Sequence, residues 1–301
     1  MGKAPLSVLI HTYNEECNIA NCLESVKWAD DIVVVDMYST DKTIELARQY
    51  TDRIFFFENM GYADPARQFA LEKALNEWVL IVDADELVPG ALRERIIDII
   101  HGDKADVVYI PHKNYFFGKL IEGGGWGPFQ DMHPRLFKKK HMRIGDCVHD
   151  FFQIDNTARI VKLADRRESF IHFAIIDVEQ LIAKQNAYTT IEAKNIIEGK
   201  KRFMPLWSIL LRKGLAVFFQ RYILQKGYRD GIAGLYISFT RSFFYYLSLY
   251  IKARLMLEGG SSDVKSSVKE KYAAIARFVL SQYANNADGA DSSDVESRLT
   301  Q

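Results

Sequence analysis

The sequence predicts an α/β protein with a mostly parallel β-sheet flanked by helices and a helical C-terminal region. From residue 5 to about residue 111, short runs of β-branched and aromatic residues alternate with helical patterns. Strands separated by helices of this length form right-handed βαβ units, which build a mostly parallel sheet. From residue 176 onward the alternation stops and the patterns are helical.

The predicted elements of the first part follow one another in a regular order. Apolar runs predict strands at 6–11, 31–35, 53–57, 78–82 and 106–110. Amphipathic patterns between them predict helices near 17–27, 41–50, 64–76 and 89–101. Polar residues at 39–41 can cap the second of these helices.

The chain is expected to contain one α/β domain in two halves, then a helical region and a tail. We predict the domain over 1–175, divided into 1–111 and 112–175, the helical region over 176–284 and a disordered polar tail over 285–301. Glycines crowd the segment 118–128, and two short strands are expected at 135–137 and 168–172. Because this connection is long and aromatic, we expect an active-site flap or a wall of the acceptor site.

Composition excludes several classes of protein. The chain has 301 residues, a formal net charge of zero and 48% hydrophobic residues. This is a globular composition, and it argues against a disordered or a nucleic-acid-binding protein. The three cysteines lack zinc-site spacing and are expected to be reduced, as in a cytosolic protein. No secretory signal segment is expected at the N-terminus.

The strand at 78–82 ends in two carboxylates, Asp83 and Asp85. Strand alternation would turn both to the same side. Carboxylate oxygens suit Mg²⁺ or Mn²⁺, which commonly complete their coordination with substrate phosphates. The pattern therefore predicts a metal–diphosphate site. The alternative is that these acids only precede a helix that begins at Pro89. A phosphatase nucleophile is disfavoured because Leu87 stands at the threonine position of that motif.

Three further features follow the predicted strands. Thr12-Tyr13-Asn14-Glu15-Glu16 follows the first strand, Asp36 ends the second, and Arg67 lies at the start of the helix after the third. Ligands of parallel sheets bind beyond the carboxyl ends of the strands. Each feature alone could be a turn, a cap or a solvated charge, but their order along the chain predicts a nucleotide site next to the carboxylate pair.

These motifs resemble those of family 2 glycosyltransferases of the GT-A fold. The resemblance covers residues 6 to about 257 and is strongest over 6–95. One departure is Met37-Tyr38, where the family commonly has acidic and glycine residues. The resemblance implies a nucleotide-sugar site, whose base and ribose would be held by Thr12, Tyr13, Glu15 and Asp36. It also implies that Arg67 and Asp83 continue this site and that Asp85 ligates the metal.

The later half resembles a bacterial subgroup that includes lipopolysaccharide-core glucosyltransferases. The matching segments are Gly124–Pro128, Arg135–Phe137, Val148–Asp150, His172 and Gly227–Leu235. This resemblance implies an inverting, metal-dependent hexosyltransferase that uses Mg²⁺ or Mn²⁺. It would move a sugar from a UDP-hexose to a hydroxyl of a lipid-linked glycan, such as lipopolysaccharide or lipooligosaccharide core or another surface polysaccharide.

Inversion by a single displacement requires a carboxylate that accepts the proton of the acceptor hydroxyl. Asp150 is the first candidate for this base and Asp131 the second. At residue 150 the subgroup usually has Glu, so the shorter Asp is a departure. His149 and His172 could complete the metal or diphosphate site, although a histidine at a strand end is commonly a structural residue.

The helical region predicts contact with a membrane surface. Between Pro205 and Leu257 there are eight Lys or Arg residues and one acid, Asp230, set among many aromatic residues. Arg241 interrupts the apolar stretch 231–251, and a charge at the bilayer centre costs roughly 2.5–3.5 kcal/mol on insertion scales. A helix lying in the plane of an anionic membrane is therefore favoured, on the inner face of the cytoplasmic membrane. The alternative is a helical domain that packs these aromatics onto the sheet.

Two other functions remain open at this point. A sugar nucleotidyltransferase would have a glycine-rich phosphate loop after the first strand, whereas residues 12–16 contain no glycine. A non-catalytic membrane-surface or assembly protein could keep the fold without the chemistry. The intact acids Asp36, Asp83 and Asp85 argue against that function.

Overall fold

The computed structural model describes residues 4–58, 64–145, 152–199, 202–260 and 262–286. Its described residues form two compact units that do not follow sequence order. The first unit contains the chain up to Lys184 together with Leu215–Ser242, and the second contains Gln185–Gly214 and the chain from Phe243 onward. The candidate functional residues that the structure describes all belong to the first unit.

Within the described ranges, the first unit is built on one mixed sheet of ten strands. Its strands are β1 (Ala4–Thr12), β2 (Ala29–Asp36), β3 (Ile54–Phe56), β4 (Trp78–Asp83), β5 (Glu86–Leu87), β6 (Val107–Phe116), β7 (Lys119–Leu120), β8 (Met132–Lys138), β11 (Ile160–Lys162) and β12 (Phe170–Ile175), while β9 (Met142–Ile144) and β10 (Phe152–Ile154) form a separate pair. The main strand order is β3-β2-β1-β4-β8-β6-β12-β5. Strands β1 to β4 pair in parallel, and β8 is antiparallel to both of its neighbours.

Helices cover both faces of the parallel part of the sheet. They are α1 (Ile19–Val26), α2 (Thr43–Ala47), α3 (Asp64–Lys73) and α4 (Gly90–Gly102). The buried side chains of α1 and α4 pack into one apolar cluster with alternate residues of the central strands. Those of α3 pack into a second cluster with the intervening residues of the same strands. The predicted α/β class, with a mostly parallel sheet flanked by helices, is confirmed.

The register of the central strands sets the position of the site. Thr12 is the partner of Asp36, and His11 is the partner of Asp83. The carboxyl ends of β1, β2 and β4 therefore meet at one edge, where ligands of such sheets bind. The polar groups that were predicted to cooperate are brought to this edge by pairing of the parallel strands.

Strand β6 is longer than predicted. The apolar run ends at Ile110, but the strand continues through His112 and Asn114 to Phe116. This extension pairs in parallel with β12, where His172 is the partner of Asn114. Asn114 can be buried in this strand because Asp131, Trp126 and His172 satisfy its amide group.

The C-terminal part of the chain is helical, as predicted. Its helices are α5 (Val178–Ile197), α6 (Leu206–Ser208), α7 (Ala216–Phe219), α8 (Gly231–Phe239), α9 (Tyr245–Gly259) and α10 (Val264–Asn286), with π-helical turns at Ile209–Leu215, Gln220–Leu224 and Thr240–Phe244. In the second unit, Leu249, Ala253 and Met256 of α9 pack with Ala193 in a small core. Across the described ranges, no helix combines the length and apolar character needed to cross a bilayer.

Candidate active site

The turn after β1 is hydrogen-bonded to the loop after β2. Asn14 adopts a left-handed backbone conformation with φ 54°. Its backbone N–H donates to Ser39 Oγ at 2.8 Å, and its side-chain Oδ1 accepts from the N–H of Thr40 at 2.7 Å. The N–H of Glu15 donates to Thr43 Oγ1 at 2.8 Å. These bonds give the two loops one shared shape at the carboxyl edge.

The four residues predicted to hold the nucleoside lie on these two segments. Asp36 is fully buried, and its carboxylate accepts from both the N–H and the hydroxyl of Ser39. Thr12 is buried, and its Oγ1 has no hydrogen-bond partner among the described residues. Tyr13 is exposed. Burial raises the pKa of the Glu15 carboxyl, and the negative charge of Asp85 adds to this rise.

Asp83, at the end of β4, is held between two arginines. Its Oδ1 accepts from Arg67 Nη2 at 2.9 Å and its Oδ2 from Arg135 Nη2 at 2.8 Å. Burial would raise the pKa of Asp83, but the charges of Arg135 and Arg67 outweigh burial and hold this pKa well below its usual range. Arg67 was expected to continue the nucleotide-sugar site together with Asp83, and in this structure its guanidinium binds the Asp83 carboxylate.

Arg135 also joins Asp83 to a second acid. The same Nη2 donates to Glu86 Oε1 at 3.0 Å. Arg135 and Glu86 are both buried, so each charge depends on the other for compensation. This buried cluster supports the turn that contains residues 84 and 85.

Asp85 lies in a turn rather than on the strand. The strand alternation used to orient Asp85 therefore stops at Asp83. The Oδ2 of Asp85 is 3.5 Å from His172 Nε2, and its backbone oxygen accepts from the N–H of Phe173 at 2.9 Å. Burial would lower the pKa of His172, but the charge and hydrogen bond of Asp85, together with the charges of Glu86 and Asp83, outweigh burial and raise the pKa to about 9. At neutral pH this imidazole is therefore protonated, and a divalent cation held by Asp85 and His172 would have to displace the proton from Nε2.

Asp131 precedes β8 and is largely buried, with 14% of its side chain exposed. Its Oδ1 is 2.9 Å from His133 Nε2, and its Oδ2 accepts from Asn114 Nδ2 at 2.7 Å. Burial would raise the pKa of Asp131, but the hydrogen bond with His133 and the charge of His112 hold it below its usual range. Asp131 is therefore not a loop carboxylate exposed to water.

A second group of residues could also hold a cation. His112, Asp131 and His133 each offer one ligand atom, and these atoms lie within 4.8 Å of one another. The other ring nitrogen of His112, Nε2, is 3.1 Å from Glu86 Oε1. Metal-binding histidines commonly donate their second ring N–H to a carboxylate in this way. The donor chemistry of this region is therefore compatible with divalent metal.

The glycine-rich segment is fixed by residues far along the chain. Asp230 accepts from the N–H of Glu122 at 2.8 Å and from that of Gly123 at 3.0 Å. Arg221 Nη1 donates to the backbone oxygen of Gly124 at 2.6 Å. A Cβ on Gly123 would overlap the backbone of the 225–226 segment. The segment thus has a defined shape next to Asn114, whose Nδ2 donates to the Trp126 oxygen.

Two predicted residues, Asp150 and His149, lie outside the described residues. Five residues that contact the predicted site residues were not themselves predicted, namely Glu86, His112, Asn114, His133 and Arg135. A usable signal existed for two of them. His112 and Asn114 are two residues apart on one strand and so face the same side.

The α/β fold and the acidic site at the carboxyl edge define a GT-A-like protein. The model of the family described as Glycosyl transferase family 2 matches residues 7–166, more than half of the chain. The chain therefore belongs to glycosyl transferase family 2.

Curated relatives cover most of the chain. The lipopolysaccharide core biosynthesis glycosyltransferase LpsC of Rhizobium meliloti (strain 1021) is 28% identical over 257 residues, which are 82% of this chain and 91% of LpsC. An uncharacterized glycosyltransferase of Rickettsia felis is 27% identical over 260 residues, covering 81% of this chain and 88% of the relative.

Two of the solved structures that match the chain were determined with a nucleotide sugar bound. Mannosyltransferase PcManGT from Pyrobaculum calidifontis, in complex with GDP-Man and Mn²⁺, matches with a TM-score of 0.49 and 16% identity, over 83% of this chain and 87% of that one. S. aureus TarS 1-349, in complex with UDP-GlcNAc, matches with a TM-score of 0.44 and 17% identity, over 91% and 92% of the two chains.

Proposed function

We propose that this glycosyltransferase moves a hexose from a UDP-sugar to a hydroxyl of a lipid-linked glycan, such as lipopolysaccharide core, with inversion at the anomeric carbon. The similarity to LpsC over most of both chains supports the acceptor class. The observation that carries the proposal is the meeting of Asp85 and His172 with Asp131 at the carboxyl edge that also holds Thr12 and Asp36.

The proposed reaction exchanges one bond to the anomeric carbon for another. The acceptor oxygen bonds to this carbon as the bond to the diphosphate oxygen breaks, and the hydroxyl proton passes to a carboxylate. Asp150 and Asp131 remain the two candidates for this base. Hydrogen bonds with Asn114 and His133 fix the direction of the Asp131 carboxylate, while its lowered pKa keeps it ionised at neutral pH and weakens it as a proton acceptor.

The donor diphosphate requires positive charge as it leaves. Asp85 and His172 are the residues proposed to hold Mg²⁺ or Mn²⁺, which when bound would offset the charge that builds on the diphosphate. Asp83 lies two residues before Asp85, and the ion pairs with Arg67 and Arg135 hold it in place and keep it ionised. The proposed nucleoside contacts are Thr12, Tyr13, Glu15 and Asp36, with Arg67 and Asp83 beside them.

We further propose that the enzyme binds an anionic membrane surface as a peripheral protein of the cytoplasmic face. In the first unit, Leu224, Ile232 and Phe239 are 65%, 76% and 50% exposed. An apolar groove of about 490 Å³ is lined by residues that include Ile232, Phe239 and Lys119. Exposed apolar side chains near basic residues favour binding to anionic lipid, at about 1 kcal/mol per nearby basic residue.

The decisive experiment measures binding of nucleoside diphosphates and their sugars, with and without Mn²⁺. Wild type is compared with Asp85→Ala and with Asp98→Ala, an exposed acid on α4. Metal-dependent binding of a UDP-sugar that is reduced only in Asp85→Ala would support the proposal. A wild-type protein that binds no nucleotide under any condition would leave a non-catalytic membrane-surface protein as the better account.

A further inference from the structure

The side-chain amide of Asn114 hydrogen-bonds both the candidate base, Asp131, and the candidate metal ligand, His172. The residue is fully buried on β6. Its Nδ2 lies 2.7 Å from Asp131 Oδ2 and 2.9 Å from the backbone oxygen of Trp126. Its Oδ1 lies 2.6 Å from His172 Nδ1. The candidate base and the candidate metal ligand are therefore bridged by the side chain of one residue.

The partners determine how this amide is oriented. A carboxylate oxygen and a carbonyl oxygen can only accept hydrogen bonds, so the amide atom that faces both of them must be the nitrogen. The oxygen of Asn114 then faces His172 and can only accept. His172 must therefore carry a hydrogen on Nδ1, and its Nε2 is the nitrogen that faces Asp85.

We propose that Asn114 is a positioning residue that fixes the direction of the Asp131 carboxylate and the ring of His172 relative to each other. The inference rests on the proposed function, since it concerns the same site. Both N–H groups of the amide are used, and no other residue type of this size offers two donors and an acceptor in one plane. Asn114 does not touch the reacting atoms. Its hydrogen bonds fix the position and orientation of the Asp131 carboxylate, the candidate proton acceptor, relative to the ring of His172, the candidate metal ligand.

The hydrogen bond of Asn114 to His172 and its hydrogen bonds to Asp131 and Trp126 can be removed by different substitutions. Asn114→Asp retains an oxygen that can accept from His172 Nδ1 but loses the N–H groups directed at Asp131 and Trp126. Asn114→Leu has a similar volume and loses every polar contact. If Asn114 only supported the fold, the two substitutions would not affect Mn²⁺ binding, through His172, and proton transfer, through Asp131, to different extents.

The experiment measures Mn²⁺ binding in the presence of UDP, from the electron paramagnetic resonance signal of free Mn²⁺, together with kcat and KM for sugar transfer. Asn114→Leu is expected to weaken Mn²⁺ binding about tenfold, as loss of a group that orients a metal-ligating histidine does, and to lower kcat. Asn114→Asp is expected to bind Mn²⁺ within about twofold of wild type and to lose about 100-fold in kcat.

Asn76→Leu is the matched control. Asn76 lies just before β4 and donates a hydrogen bond to Asp30, at the amino ends of the parallel strands and away from the candidate site. The melting temperature of each variant is compared with that of wild type. Wild-type Mn²⁺ binding and kcat in Asn114→Leu would overturn the inference, as would equal losses of both in the Leu and Asp variants. A wild-type protein that binds no Mn²⁺ with UDP would overturn the proposed function itself.

Discussion

His172 Nε2 lies 3.5 Å from Asp85 Oδ2, although the two residues are 87 positions apart in the chain. They meet because β5, which follows Asp85, pairs with β12 so that Glu86 is opposite His172. The acidic motif after β4 is therefore completed by a strand from the later half of the unit.

Removing either member of this pair is expected to impair the use of metal. Asp85→Asn and His172→Gln should each weaken Mn²⁺ binding about 10- to 100-fold and lower kcat/KM at limiting Mn²⁺. Steady-state kinetics over a Mn²⁺ titration measures both effects. His101→Gln, an exposed histidine on α4, is the control and should behave as wild type. Unchanged Mn²⁺ dependence in both variants would contradict the assignment of this pair.

The two candidate bases can be distinguished by neutral substitutions. The variant that lacks the base should lose about 10²- to 10⁴-fold in kcat while binding of the UDP-sugar stays close to that of wild type. Asp131→Asn and Asp150→Asn are measured side by side, with Asp98→Asn as the exposed control. If Asp131→Asn keeps its activity and Asp150→Asn does not, Asp150 is the base.

Arg135 is expected to be essential for stability as well as for the site. Arg135→Met leaves the buried carboxylate of Glu86 and the partly buried carboxylate of Asp83 without their shared partner, which should lower the free energy of unfolding by about 3–5 kcal/mol. Urea denaturation measures the change. Arg48→Met, at an exposed arginine, should change stability by less than about 0.5 kcal/mol. Equal effects of the two substitutions would show that the buried cluster is unimportant for stability.

Asp106 should contribute stability that is lost in acid. Its carboxylate accepts from Arg159 Nε at 2.8 Å and from Lys138 Nζ at 2.9 Å. The hydrogen bonds from Arg159 hold the pKa of Asp106 below its usual 3.8. The unfolded chain therefore binds a proton at higher pH than the folded chain does, and the stabilisation is present above about pH 4 and lost as the pH falls below it.

The matching variant is Asp106→Asn, which should be less stable than wild type by about 2 kcal/mol at pH 7. This difference should shrink as the pH is lowered from 5 toward 2, because the unfolded wild-type chain takes up a proton at Asp106 in this range while the folded chain does so only at lower pH. Urea unfolding at several pH values tests the trend. A difference that does not change with pH would mean that the charge of Asp106 is not what stabilises the fold.

Membrane binding should depend on exposed apolar residues of the first unit. Ile232→Asp combined with Leu224→Asp is expected to reduce cosedimentation with anionic vesicles about fivefold, because both apolar burial and attraction to the headgroups are lost. Leu75→Asp, which changes another leucine that is 70% exposed, is the control. If the double variant and the control bind equally well, membrane contact must involve other residues.

The fold could be predicted because its signals are local. The apolar runs that became β1, β2 and β4 are buried on both faces, and helical patterns separate them. The carboxyl-edge position of Thr12, Asp36 and Asp83 followed from the rule for parallel strands. The end of β6 was missed because His112 and Asn114 interrupt the apolar pattern on which strand prediction depends.

The partners within the site could not be predicted, since they come from distant strands. Nothing near Asp83 in the sequence indicates that Arg135 would neutralise it, and nothing near Asp131 indicates Asn114. These pairings depend on the register between β6, β8 and β12, which includes an irregularity within β6. The register between strands is set mainly by their hydrophobic pattern, so it cannot be predicted from short polar segments.

The carboxylate of Asp230 has a consequence for shortening the chain. It binds the N–H groups of residues 122 and 123, more than 100 positions earlier, while the family match ends at residue 166. A fragment that stops at residue 175 would keep every acid of the candidate site yet lose the groups that shape its glycine-rich loop. The smallest fragment expected to fold with an intact site therefore extends to about residue 242, the end of the first unit.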